Sequence, residues 1–441
     1  SSVAMPGRTI RIAQRPLTRE EKLSLASSQL ADEGAWFRLV QEGDREIQVA
    51  IARNPKATRN VLELLARTGC EQAQIAVATH PQITPSLLGM LAKSPNFKIV
   101  EAVATHPMTP PAVLEQLVEA HDPNVRAAAL RHPRLSPETV EEALTGTMGA
   151  RVGVARNPQL TREQLEGLFE EAISPLLCAM LRHPKLDEEL FARLLAHPAA
   201  DDEVLLLAVR HRLMTPPLLI GVLEAKPSFA VKEAIVRSPR LMPLMLIKLG
   251  QDSDPRVRAL VASHPQTPAP CLMALIHDAD ERVRVGLLHH PHLPLGVIEA
   301  IASGKDLLLK TGIACRPGVP DEILMYLCKT KSRKLHEALL RRPKLSKRLA
   351  MRLSHSFYVE LRYELAQRPG LPTPIADELA RDGNWVVREA ALRSGRVSPA
   401  LREQMLADPV YWVRLTADNR APFWPWEHRQ RERDFEAAFA S

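Results

Sequence analysis

A proline recurs through this chain at a nearly fixed interval, and that interval constrains the fold more than any other feature. The residues before the recurring proline are Asn54, His80, His106, His132, Asn157, His183, Arg212, Ser238, His264, His290, Arg316, Arg342, Arg368, Ser394 and Arg420. Twelve of the fourteen intervals between these landmarks are 26 residues, and the other two are 25 and 29. Proline follows the landmark except at Leu213, Gly395 and Ala421. A repeat of this length is too small to bury its own apolar face, so stacked neighbours must share a core. The chain has 37 prolines and only 19 glycines, yet 45% of its residues are hydrophobic. Such a composition fits short helices punctuated at fixed places rather than disorder.

Each repeat reads as two helices. Asp122-Pro123 and Asp254-Pro255 pair an N-cap with proline at the first helical position, and Asp280, Asp306, Ser332 and Asn384 occupy the same place. That helix ends near the landmark, because a residue before proline avoids the α region. A second helix is expected to open at Thr84, Thr109, Ser136, Thr215, Thr267, Thr373 and Ser398, each followed by proline. Its apolar residues fall at helical spacing, as at Val113, Leu114 and Leu117. The fold class expected is an all-α solenoid of about fifteen repeats.

The unit D-P-x-V-R-x-A-x-L-x-H-P-x-L-[ST]-P-x-x-[LV]-x-x-L resembles the leucine-rich repeat variant family. The resemblance implies a right-handed helical superhelix. The segment also resembles the second helix of HEAT repeats, where an Asp six residues before an Arg forms a ladder between repeats. Asp252 with Arg258, Asp278 with Arg284, Asp382 with Arg388 and Asp408 with Arg414 have that spacing and are expected to form such a ladder. The founding type of the variant family carries a cysteine-ligated iron–sulfur module near the N-terminus. Here no cysteine precedes Cys70 and the five cysteines are scattered, so no cofactor is carried over and no metal is expected. Scattered thiols point to a reducing cytoplasm.

The ends depart from the period. Residues 1–15 read as loose, residues 1–43 as an extension and capping helix opened by Thr18 and Glu21, and 44–421 as the repeats. An irregular repeat near 197–212 reads as a bend or a seam. Residues 422–441 read as a Trp-rich turn and capping helix, with Trp385, Trp412, Trp424 and Trp426 all in the last 60 residues.

Charge is uneven. Residues 1–150 carry 16 basic and 16 acidic side chains, 151–300 carry 17 and 18, and 301–441 carry 25 and 17. The excess is densest at Lys329, Lys331, Arg333, Lys334, Arg341, Arg342, Lys344, Lys347, Arg348 and Arg352, with Glu337 the one acid among them. These ten residues form the candidate partner-binding surface, for nucleic acid, an acidic protein or membrane phosphate. A second row, six residues before each landmark, comprises Lys232, Arg258, Arg284, Lys310, His336, Arg362, Arg388 and Arg414. The landmark histidines stand about 10 Å apart if helices pack normally, too far to share an ion. They are expected to bond backbone groups left open at helix ends.

No phosphate-binding, dinucleotide, zinc-protease or nucleophile-elbow motif occurs. Asp382 and Asp408, near the tryptophans, read as ladder residues rather than catalytic acids. Cys315 and Cys328 read as core or turn positions. No apolar run suits a membrane span. The sequence reading is a non-catalytic scaffold for a protein or peptide partner, with nucleic-acid binding by the basic C-terminal third as the alternative.

Overall fold

The computed structural model describes residues 15–30, 32–420, 422 and 424–440. The expected loose N-terminal segment lies outside those residues up to residue 14, as does Phe423 of the aromatic turn. Among the described residues every regular element is helical. Contacts divide the chain into two compact bodies, with the boundary between Val231 and Lys232.

Within each body the helices form two rows. In the N-terminal body, Arg45–Arg53, Glu71–Ala78, Phe97–Thr105 and Pro123–Leu130 pack each on the next, as do Glu33–Glu42, Arg59–Thr68 and Pro85–Leu91. In the C-terminal body the first row runs through Pro255–Ser263, Glu281–Leu288, Leu307–Cys315, Arg333–Leu340, Val359–Ala366, Trp385–Arg393 and Tyr411–Ala417. The second row runs through Ala269–Leu275, Leu295–Ser303, Asp321–Leu327, Lys347–Leu353 and Thr373–Ala380. These stacked rows are a helical solenoid of repeats.

The core forms at one repeated position. Val257, Val283, Leu309, Leu335 and Leu361 are all buried, and each such burial stabilises by about 1.5–3 kcal/mol. Close packing also fixes Gly286. A Cβ there would stand 2.8 Å from the Ala259 carbonyl oxygen, so only glycine lets these two helices approach as they do.

The expected caps form at the first helix. The side chains of Asp122, Asp254, Asp280, Asp306, Ser332 and Asn384 each accept from a backbone N–H in the first turn. Thr18 and Glu21 make the reciprocal capping box. The second helix departs in part from expectation. Thr84 and Ser136 cap as expected. At Thr109 and Thr267 the hydroxyl instead donates to Val103 and Val261 carbonyls, at 2.5 and 2.6 Å, and the helices begin later, at Pro111 and Ala269. Those two hydroxyls are buried, so their nearest open carbonyl claims them. Thr373 is the first residue of its helix rather than its cap.

At the C-terminal end, helix Pro425–Phe439 lies against Trp385–Arg393. Asn384 donates to the Ala438 carbonyl, and Arg431 pairs with Glu389, which is 2% exposed. The Trp412 indole is buried and donates to Asp434 at 2.9 Å, while Trp424 and Trp426 are exposed.

Candidate functional site

Two periodic polar systems tie the repeats together. The first is the landmark row. His80 Nε2 lies 2.8 Å from the Asn54 carbonyl oxygen, His106 Nε2 lies 2.8 Å from that of His80, and His132 Nε2 lies 2.6 Å from that of His106. His183 reaches Asn157 at 2.7 Å. In each ring Nδ1 accepts from the backbone N–H two residues on, at 3.0–3.1 Å. The neutral Nε2–H tautomer satisfies both contacts. Asn54 and Asn157 reproduce the pattern with one amide, and Arg342 and Arg368 reach back to the same carbonyls. Burial lowers the pKa of His132, His183, His264 and His290, which favours the neutral ring.

The irregular repeat shifts this register. His211, not Arg212, takes the landmark role. Its Nε2 lies 2.8 Å from the Leu181 carbonyl oxygen, and its Nδ1 accepts from Leu213 N–H. The ring stacks on Phe191 at 4.9 Å. His197 makes the same pair of contacts, to Phe169 and Ala199.

The second system is the ladder of the C-terminal body. Its aspartates pair with the cation of the preceding repeat rather than with the arginine six residues on. Lys232 holds Asp252 at 2.6 Å, Arg258 holds Asp278 at 2.8 Å, Arg362 holds Asp382 at 2.7 Å and Arg388 holds Asp408 at 2.9 Å. The spacing of six carries a different bond. Arg258, Arg284, Arg388 and Arg414 each donate to the carbonyl oxygen of Asp252, Asp278, Asp382 or Asp408, at 2.7–2.9 Å. Arg284 meets glycine, Gly304, where its aspartate would stand, and turns to Asp306 at 2.8 Å. Lys310 finds the Thr330 hydroxyl at 3.3 Å and His336 the Ser356 hydroxyl at 2.9 Å. Arg414, in the last rung, lies over the Tyr411 ring.

The basic cluster is divided by a helix. Lys329, Lys331, Arg333 and Lys334 precede or open helix Arg333–Leu340, while Arg341, Arg342, Lys344, Lys347 and Arg348 follow it. Along the helix axis Arg333 and Arg341 stand about 12 Å apart. Arg352 closes the next helix, Lys347–Leu353. Three of the ten cations are engaged: Arg341 pairs with Glu337, Arg348 pairs with Glu322, and Arg342 bonds the Ala314 and Arg316 carbonyls. Lys329 lies 5.3 Å from the Tyr326 ring centroid. Among the described residues Lys331, Arg333, Lys334, Lys344, Lys347 and Arg352 form no ion pair, and all six are exposed.

The N-terminal body holds a site that the sequence reading missed. A cleft of about 540 Å³ opens across helices Pro123–Leu130, Met148–Val154, Ser174–Leu181 and Asp202–Val209. Arg126, Arg131, Arg156 and Arg182 line it, and Glu203 is the one acid in its lining. Arg131, Arg156 and Arg182 occupy the same place in three successive repeats, immediately before the landmark. Among the described residues none of the three forms an ion pair. Burial first, then the charges of Arg131 and Arg182, hold the Arg156 pKa below its usual value. The tripeptides Arg131-His132-Pro133, Arg156-Asn157-Pro158 and Arg182-His183-Pro184 were the available signal. Net charge concealed it, because the N-terminal body carries 25 basic and 27 acidic residues.

The cysteines are all free. Cys328 is buried, and burial pushes its thiol up to about 11, whereas Cys315 is exposed. Among the described residues no group of three His, Cys, Asp or Glu side chains is placed to hold a metal ion. Among them, too, no helix is long and apolar enough to cross a membrane.

Two stacked helical rows, joined by repeated carbonyl and ion-pair contacts, define a helical-repeat protein. Residues 255–280 match the leucine rich repeat variant family over one 26-residue repeat, from Pro255 at the helix opening to the next cap, Asp280. No curated protein matches the chain.

Proposed function

We propose that the chain is a non-catalytic binding scaffold that recognises a protein or peptide through the outward side chains of its repeats. The observation that carries this reading lies at two adjacent positions of the first helix. Val257, Val283, Leu309 and Leu335 are buried and chemically uniform. Their immediate neighbours, Arg256, Arg282, Leu308 and Lys334, are exposed, three of them basic and one apolar, with Arg256 and Arg282 paired to their own cap aspartates. A constant interior that presents outward side chains at fixed spacing is an arrangement repeat proteins use for recognition. The five free thiols support a reducing compartment such as the cytoplasm.

Capture from nuclease-treated extract of the source cells tests the reading. A protein bound saturably by the intact chain, and lost from an Arg256→Glu, Arg282→Glu, Lys334→Glu variant of unchanged melting temperature, supports it. Absence of any saturable protein ligand overturns it. A second reading, nucleic-acid binding by the C-terminal body, draws on that body's 33 basic and 24 acidic residues and on the six unpaired cations near helix Arg333–Leu340. It requires binding that nuclease abolishes and that weakens steeply with salt.

A further inference from the structure

The arginine cleft of the N-terminal body calls for a ligand of its own. Three guanidinium groups at equivalent places in successive repeats line one cleft without a carboxylate on any of them, and the middle one, Arg156, feels the repulsion of the other two. Such repulsion is relieved when an anion enters between them. The planar fork of arginine matches the oxygens of a phosphoryl group, with two parallel N–H···O bonds. The fourth arginine, Arg126, donates to the Ala120 and His121 carbonyls at 2.7 and 2.8 Å, which pins it at the edge.

The cleft also has an apolar part. Leu130, Val152 and Leu207 line it, and Gly149, Ala150 and Ala179 keep it open. Its volume of about 540 Å³ suits a small molecule, for which sites typically span roughly 300–1,000 Å³. A polymer is disfavoured by the charge of the surrounding body, whose 27 acidic residues outnumber its 25 basic ones. Steering of a nucleic-acid backbone needs a field that extends well beyond four side chains.

We propose that this cleft binds a small organic phosphate, with Arg131, Arg156 and Arg182 on the phosphoryl oxygens and Leu130, Val152 and Leu207 against its apolar body. The site does not depend on the scaffold reading, since its lining belongs to the N-terminal body and that reading is carried by residues of the C-terminal body.

Calorimetric titration of the full chain with phenyl phosphate, inorganic phosphate, citrate and a short single-stranded oligonucleotide tests the proposal. Phenyl phosphate is expected to bind at least tenfold more tightly than inorganic phosphate, because only it fills the apolar part. Arg156→Met is expected to weaken phenyl phosphate at least tenfold without lowering the melting temperature, since it removes a charge that two neighbours repel. Gly149→Leu provides a second variant. A Cβ at Gly149 meets nothing closer than Thr147 Oγ1 at 4.0 Å, so a side chain can start there without a clash, and its bulk in the cleft lining is expected to weaken phenyl phosphate at least tenfold. Arg210→Ala, outside the cleft lining, is expected to change nothing. The proposal is overturned if phenyl phosphate does not bind, if Arg156→Met binds it equally well, if citrate binds in preference to it, or if the oligonucleotide binds and phenyl phosphate does not displace it.

Discussion

Arg258 and Asp278 form a two-pronged bond between successive repeats. Nε lies 2.8 Å from Oδ2, and a terminal nitrogen lies 3.2 Å from Oδ1. The remaining terminal nitrogen of Arg258 holds the Asp252 carbonyl at 2.7 Å. One guanidinium therefore closes the turn of its own repeat and fixes the register of the next. The side chains are only 19% and 10% exposed, so water screens the pair weakly.

Breaking this pair is expected to cost more than replacing it. Asp278→Ala leaves a largely buried guanidinium uncompensated and is expected to destabilise the protein by about 3 kcal/mol. Arg258→Met combined with Asp278→Leu is expected to cost less than Asp278→Ala alone. Chemical denaturation of Arg258→Met, Asp278→Leu and the double variant reads the coupling directly. Additive losses would mean that the two side chains act independently.

Stability should fall in mild acid. His132, His183, His264 and His290 have pKa values lowered by burial, so the unfolded chain takes up protons first as pH drops. Their contribution is complete above the ordinary histidine value of about 6.5 and is lost progressively below it. A second loss is expected at lower pH. Burial works to raise the Asp278 carboxyl, but the Arg258 hydrogen bond, a backbone N–H and the Arg258 charge outweigh it and hold the pKa below its usual value. Its contribution fades as pH falls below the ordinary aspartate value, about 3.9. Denaturation midpoints measured between pH 8 and pH 3 check both windows.

The landmark row predicts which substitution is silent. Asn54 and Asn157 make the histidine's two contacts with a single amide. His106→Asn is therefore expected to stay within about 1 kcal/mol of the parent protein, whereas His106→Leu takes the inter-repeat donor from the His80 carbonyl, leaves the Met108 N–H without its acceptor and costs about 2 kcal/mol. His132→Asn should, in addition, reduce the loss of stability below pH 6.5. Thermal melts at two pH values distinguish these outcomes.

Two glycines within helices should respond in opposite directions. Gly286→Ala drives a Cβ to 2.8 Å from the Ala259 backbone oxygen, and the strain is expected to cost about 1–3 kcal/mol despite better helix propensity. Gly149→Ala meets open space and is expected to gain up to about 1 kcal/mol. Differential calorimetry of the two variants measures both signs.

Much of the fold was legible because it is local. Proline placement and Asp or Ser caps mark the first helix within a few residues, and the structure reproduces them at Asp122, Asp254 and Asp280. The ladder was legible as a set of residues but not as pairs. Asp278 stands six residues before Arg284, yet its carboxylate faces Arg258, because the helix row sets which side chains meet across 20 residues. The register at 212 failed because the chain turns one residue earlier: the Met214 N–H bonds the His211 carbonyl, and the ring that reaches Leu181 is that of His211. Arg131, Arg156 and Arg182 were visible at one place in three repeats. The open cleft they share depends on small residues in its lining, such as Gly149 and Ala179, which no charge count records.

The scaffold account is tested most directly by measuring the affinity of a captured protein partner for single variants at outward and inward-linked positions. The account predicts that Arg256→Ala, Arg282→Ala or Lys334→Ala weakens the partner at least tenfold with an unchanged melting temperature, while His106→Asn leaves affinity intact. Affinity unaffected by all three outward changes, or lost only when nuclease is added, would contradict it.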